Sequence, residues 1–223
     1  MAASALSTQR EVRIDPAGLF GYLGVPQDPH GLVLFAHGSG SGRHSSRNNE
    51  VARALREVGI ATLLLDLLTV EEEQERANVF DIRLLASRLI KATEWAQRQP
   101  ETGNLPIGYF GASTGAAAAL VATAIRGREV AAVVSRGGRP DLAGDALARV
   151  ATPTLLIVGG LDTTVIDLNR QAKVRIAAPC EIVIVPGAGH LFEEPGTLDQ
   201  VIDYSQRWFL TQFERAHRPG AAP

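Results

Sequence analysis

The sequence predicts an α/β fold: a mostly parallel central sheet, an N-terminal antiparallel hairpin, helices on both faces and no cap domain. Three observations carry this. Short apolar runs of strand length alternate with segments whose apolar residues recur at helical spacing, the mark of β-α-β units. Residues 32–36 are apolar without a break, which suits a strand buried on both faces. Near the start, residues 11–14 and 19–25 flank Asp15-Pro16-Ala17-Gly18, a turn signal that reads as a hairpin.

The remaining elements follow in order. After the first buried strand, Val51, Ala54, Leu55 and Val58 fall on one helical face, and Gly59 stops the helix. Residues 60–65 form the next strand. Asp81 is placed to cap a helix carrying Ile82, Leu85 and Leu89 on to Trp95. The run Glu71-Glu72-Glu73-Gln74-Glu75 before it reads as a solvated segment that disfavours acidic macromolecular partners near that edge. Residues 106–110 are a strand, and residues 116–125 a helix apolar almost all round, hence central and buried. Strands follow at 130–134, 154–158 and 181–185. A short helix over 141–150 fits between the first two, with no room for a cap. Val165, Leu168, Ala172 and Ile176 trace a helix between the last two. A final helix has Thr197 as N-cap with Gln200 three residues on, a capping box, and buries Leu198, Val201, Ile202, Ser205 and Phe209. The expected division is one domain over residues 1–214 and a flexible tail over 215–223.

Composition narrows the function. The 223 residues are 45% hydrophobic, enough for a sizeable core, and carry a formal net charge of −2, which argues against nucleic acid or an anionic membrane as partner. The lone cysteine, Cys180, excludes an internal disulfide framework and a multi-Cys zinc site; no metal or cofactor is expected. No apolar run approaches the length that crosses a bilayer, and the first ten residues lack the pattern of a secretory signal. A cytoplasmic location is expected. Nothing in the sequence excludes a homo-oligomer.

In parallel sheets ligands bind at the carboxyl ends of the strands. After the strand ending at Phe110 comes Gly111-Ala112-Ser113-Thr114-Gly115 and then a helix. This is G-x-S-x-G in the strand–turn–helix setting the motif requires. Glycines two residues before and after the serine permit the tight turn, which lifts the Ser113 hydroxyl above the sheet. The Thr114 amide, at a helix N-terminus, points at the same space and can bind an oxyanion. A serine needs a base, and His190, in the loop Pro186-Gly187-Ala188-Gly189-His190 off the last strand, is placed to serve. The other histidines are less suited: His30 and His217 read as solvated, His37 as a structural ring. The third member must be a carboxylate between Ser113 and His190. Asp162, in Gly159-Gly160-Leu161-Asp162, is favoured over Asp141, with a helix-capping role as the plain alternative. The second oxyanion donor should come from His37-Gly38-Ser39-Gly40-Ser41-Gly42, with the Ser39 amide as donor and Gly38 allowing close approach. Arginines at the expected rim, Arg43, Arg47, Arg136 and Arg139, could meet a substrate carboxylate or phosphate; Arg43 and Arg136 are assigned to substrate binding with Gly38. They could equally be solvated or brace the loops.

On these residues the chain resembles the α/β-hydrolases of the dienelactone-hydrolase-like group. The H-G-S loop, the G-x-S-x-G elbow, the Gly-Gly-Leu-Asp strand end and the Gly-Ala-Gly-His loop occur in family order along nearly the whole domain. The resemblance implies a Ser113–His190–Asp162 triad and hydrolysis of carboxylic esters through an acyl-enzyme, with a small-molecule ester as substrate. Dienelactone hydrolase proper uses a cysteine nucleophile, so serine here favours a general esterase. Thioesterase and lactonase activities share the same chemistry. Similar hydrolases occur joined to phosphoribosyltransferase domains; no acidic phosphoribosyl-binding stretch is found here, so the hydrolase part alone is expected. Two readings compete. Gly38, Gly40 and Gly42 could be a nucleotide-phosphate loop, but the spacing is not G-x-G-x-x-G and only Asp66 ends the next strand. A non-catalytic binding protein of the same fold is the other, which the presence of all three triad members in order disfavours.

Overall fold

The computed structural model describes residues 9–218. One eight-stranded sheet runs in the order β1-β2-β4-β3-β5-β6-β7-β8. The hairpin forms as the turn signal predicts: β1 (Arg10–Ile14) pairs antiparallel with β2 (Leu19–Gly24). β2 pairs antiparallel with β4 (Ala61–Leu65), and every later pairing is parallel, through β3 (Leu32–Ala36), β5 (Ile107–Ala112), β6 (Val130–Arg136), β7 (Thr154–Gly159) and β8 (Cys180–Val185).

Side-chain alternation along the strands divides the core between the faces. Leu32, Leu34, Leu63 and Tyr109 pack under helices α4 (Ile82–Gln97) and α5 (Thr114–Arg126). Val33, Phe35, Leu64 and Phe110 face α1 (Ser46–Glu57) and α7 (Thr197–His217). α5 is buried along most of its length, as its apolar circumference predicts. Asp81 caps α4 by accepting from the amides of Arg83 and Leu84. α6 (Thr163–Arg175) links β7 to β8. Among the described residues, no helix is long and apolar enough to cross a membrane.

Three local readings are corrected. The segment Pro140–Arg149 is 3-10 and kinked at Gly144, whose φ of +54° breaks the expected helix. The N-cap of α7 is Gly196 in the left-handed region, not Thr197. The Thr197 hydroxyl donates back to the Glu194 carbonyl, and the helix starts one residue earlier than the capping box assumed. α7 continues to His217, so residues 215–217 are helical; the expected tail beyond 218 lies outside the described residues. The acidic run is solvated as expected, with no buried residue in the single turn α2 (Val70–Glu73) or in the turn α3 (Arg76–Val79) that follows it. A capping box between Thr69 and Glu72 starts the first turn, and Glu72 also pairs with Arg88.

Candidate active site

The site is assembled at the carboxyl ends of β3, β5, β6, β7 and β8. β5 ends in the elbow, and Ser113 has φ +50° and ψ −121°, a strained conformation for a residue with a side chain that costs roughly 1–3 kcal/mol. Both elbow glycines are required by contact. A Cβ on Gly111 would come within 2.4 Å of the Ala116 Cα, and one on Gly115 within 2.1 Å of the Ala36 carbonyl oxygen. α5 thus starts hard against the end of β3, bringing the Gly38–Ser39 turn beside the serine; a Cβ on Gly38 would lie 3.0 Å from the Ser113 Cβ.

β7 and the loop after β8 bring in the other two side chains. Gly159 lets the loop fold over it, since a Cβ there would sit 2.3 Å from the Gly189 carbonyl. The amides of Gly160 and Leu161 donate to Val185 and Ala188. Asp162 holds the N-cap position of α6, but its carboxylate makes no capping bond. It meets the imidazole instead: Asp162 Oδ2 lies 2.7 Å from His190 Nδ1. A carboxylate there holds the proton on Nδ1 and leaves Nε2 as the basic nitrogen. The rival, Asp141, is engaged elsewhere, accepting from Arg139 Nε and Nη2 at 2.9 and 2.8 Å.

Ser113, His190, Gly38, Ser39 and Arg136 line a single open cavity of about 1210 Å³. Ser113 and His190 therefore face the same space, although no hydrogen bond joins the Ser113 hydroxyl to the imidazole. The Thr114 amide heads α5 and, among the described residues, has no acceptor. The Ser39 amide is engaged, donating to Thr114 Oγ1 at 3.1 Å. His37 is structural: its Nε2 accepts from the Leu67 amide at 3.0 Å and its Nδ1 faces the Gly38 carbonyl at 2.9 Å. That pairing fixes the proton on Nδ1, and burial holds the ring's pKa below its ordinary value.

The four arginines differ in their partners. Arg43 lines the cavity, but its guanidinium pairs with Asp66 and Glu11 and lies over Tyr22, so it braces the loop. Arg47 pairs with Glu193 at 2.6 Å, and Arg139 with Asp141. Arg136, at the end of β6, is 8% exposed, and neither its Nε nor its Nη1 has a hydrogen-bond partner. Burial, with the nearby Arg47 charge second, pushes its pKa down to about 10. Sequence reading missed the far wall of the cavity, which α2 and α3 supply through Val70, Glu71, Glu73 and Val79. The only available signal was the Thr-x-x-Glu cap at Thr69. Among the described residues, no group of three His, Cys, Asp or Glu side chains gathers where it could hold a metal.

Comparison with known proteins agrees with this fold. The profile of the dienelactone hydrolase family matches residues 19–211. A Mycobacterium tuberculosis protein provisionally named a phosphoribosyl transferase is 60% identical over 200 residues, which is 90% of this chain and 45% of that protein. The chain thus spans less than half the length of this curated relative. The crystal structure of a dienelactone hydrolase from Anabaena variabilis superposes with a TM-score of 0.89 at 51% identity, covering 92% of this chain and 98% of that one. Est1E from Butyrivibrio proteoclasticus shares the fold, with a TM-score of 0.78 at 16% identity over 93% of this chain and 100% of its own.

Proposed function

The chain belongs to the dienelactone hydrolase family, and from that premise we propose that it hydrolyses small carboxylic esters with Ser113 as nucleophile, His190 as base and Asp162 as the group that orients the base. The observation that carries this reading is the 2.7 Å contact between Asp162 and His190, made across one rim of the cavity onto which Ser113 opens. A carboxylate at a helix N-cap ordinarily accepts from first-turn amides; this one holds an imidazole instead.

The chemistry proceeds in two balanced halves. His190 Nε2 takes the Ser113 proton as Oγ bonds to the ester carbonyl carbon, and the carbonyl π pair moves onto oxygen. The Thr114 amide, and the Ser39 amide in a bond shared with the Thr114 hydroxyl that anchors it, stabilise that oxyanion. Collapse breaks the bond to the alkoxy oxygen, which leaves with the proton from His190. Water, deprotonated by His190, then releases the acid and restores Ser113. Contact between Ser113 Oγ and His190 closes on substrate binding, since catalytic hydrogen bonds are often long in unliganded sites. Thioesters and lactones present the same carbonyl to the same groups. With only 3-10 turns between β6 and β7, no cap domain is inserted there, which favours short acyl chains. The intended substrate is a small molecule and the setting cytoplasmic; neither nucleic acid nor membrane is a partner.

The test is labelling with a fluorophosphonate alongside turnover of p-nitrophenyl esters of increasing acyl length. The reading requires label on Ser113, none in Ser113→Ala, and a rate that falls as the acyl chain grows. An unlabelled Ser113 in a folded protein that cleaves none of the esters rejects it.

A further inference from the structure

Among the described residues, Arg136 is the one cavity-lining arginine with no protein acceptor. Arg43 and Arg47, which share the cavity, each hold a carboxylate, whereas Arg136 holds none and has two buried nitrogens without partners. An isolated buried cation is costly to fold around unless an anion meets it. Its place is set by the sheet: Arg136 pairs in register with Ala112, the residue before the nucleophile, and its carbonyl accepts from the Ser113 amide at 3.3 Å. The guanidinium is therefore fixed to the same strand ends as the reacting group.

A second set of unpaired donors lies along the same cavity. α1 begins at Ser46, and Ser45, Ser46 and Arg47 all border the cavity. The Asn48 amide is met by Ser45 Oγ and the Asn49 amide by the Ser45 carbonyl. The amides of Ser46 and Arg47 have no acceptor among the described residues. Two open first-turn amides at the positive end of a twelve-residue helix form an anion site.

The geometry points to a subsite for a phosphate group carried by the substrate, held between Arg136 and the first turn of α1. A carboxylate is planar and is satisfied by a single guanidinium fork. Here the donors come from a strand end and a helix end, on different elements, which suits a tetrahedral group with three free oxygens. The substrate class is then a small ester bearing a phosphate monoester near the scissile carbonyl. This inference deepens the hydrolase reading and rests on it for the reaction, but not for the binding.

Calorimetric titration of the full chain with inorganic phosphate, at fixed pH and ionic strength, separates the two. The wild-type protein should bind one phosphate, with affinity reduced at least about ten-fold in Arg136→Gln, the order expected for losing a charge-assisted contact. Ser46→Pro provides an independent variant. Proline is favoured at the first helical position and removes only that amide, so binding should weaken several-fold while the circular dichroism spectrum is unchanged. Acetate should bind at least about ten-fold more weakly than phosphate. The kcat/KM ratio for a phosphorylated over a neutral ester should fall in both variants. Absence of phosphate binding to the wild type, equal affinity in Arg136→Gln, or acetate binding as tightly as phosphate overturns the subsite. A protein that binds phosphate through Arg136 but cleaves no ester keeps the subsite and rejects the hydrolase instead.

Discussion

Asp162 caps α6 by position and His190 by contact: its backbone carbonyl accepts from the Ile166 amide at 2.9 Å while its Oδ2 lies 2.7 Å from the imidazole Nδ1. Helix start and imidazole orientation thus share one residue, with the side chain given to the imidazole. Replacing it separates the two roles. Asp162→Asn keeps the shape but offers an amide that can impose the wrong tautomer, so kcat should fall by about 10³–10⁴-fold with little change in melting temperature. Asp141→Asn, which loosens only Arg139, should leave kcat nearly unchanged. Steady-state kinetics on both variants checks the assignment, and a large loss in Asp141→Asn with none in Asp162→Asn reverses it.

Much of this arrangement is legible in the sequence because its signals are local. The elbow is fixed by two glycines that no side chain could replace, and strand ends such as Gly159-Gly160-Leu161-Asp162 place their acid wherever the strand is placed. What escapes sequence reading is the set of choices among equivalent partners. Helical spacing over 141–150 cannot reveal that Gly144 adopts a positive φ. Thr197 resembles a cap until its hydroxyl is seen to donate to Glu194. Arg43 and Arg136 look alike in a list of rim arginines; only the fold puts Asp66 and Glu11 beside the first and no carboxylate beside the second. The wall made by α2 and α3 rests on the long-range pair between Glu72 and Arg88, which no periodicity shows.

The bond from the Ser39 amide to Thr114 Oγ1 ties the Gly38–Gly42 turn to the elbow. Thr114→Val keeps the branched shape and removes the acceptor, leaving the amide unanchored. The expected result is a fall in kcat of about ten-fold, smaller than the 10²–10³ seen when an oxyanion donor is deleted outright, with KM little changed. Thr114→Ser should recover most of the rate. An equal loss in Thr114→Ser and Thr114→Val would assign the effect to packing at the helix start.

His37 makes stability depend on pH between the carboxylate range and neutrality. Burial lowers its folded pKa, against weaker raising effects from the Gly38 carbonyl, Asp66 and Glu73. Protonation would also replace the acceptor that the Leu67 amide requires. With the folded pKa below the unfolded value of about 6.5, the unfolded chain takes up the proton first. The contribution is therefore complete above about pH 6.5 and is lost as pH falls toward the folded value, at up to about 1.4 kcal/mol per pH unit. Glu101 and Glu194, whose pKa values are also lowered, act only at more acidic pH. Thermal melts from pH 7.5 to 5 should show the gap between wild type and His37→Gln narrowing as pH falls. A constant gap would mean that the ring does not titrate with folding.

Arg136 sets stability against binding. Its guanidinium is charged at neutral pH in both states, yet folding removes it from water with no carboxylate in reach, and burial lowers its pKa from the ordinary arginine value to about 10. A depressed pKa on a base means that the charged form is the one penalised by folding, by roughly 1.4 kcal/mol for each unit, a cost present throughout the neutral range and relieved only in strong alkali. Arg136→Met retains most of the aliphatic length and removes the charge, so the variant should be more stable by about 1–3 kcal/mol, in keeping with other replacements of buried ions by apolar side chains. For a chain of this size that is a rise in melting temperature of roughly 2–4 °C per kcal/mol. Phosphate should close the gap from the other side, because an anion that binds only the folded state raises the wild-type melting temperature in proportion to the logarithm of its concentration and has no guanidinium to meet in the variant. Differential scanning calorimetry with and without phosphate reads both effects in one experiment. If Arg136→Met melts at or below the wild type, the guanidinium is already compensated within the protein, and its burial is no longer a reason to expect an anion in the cavity.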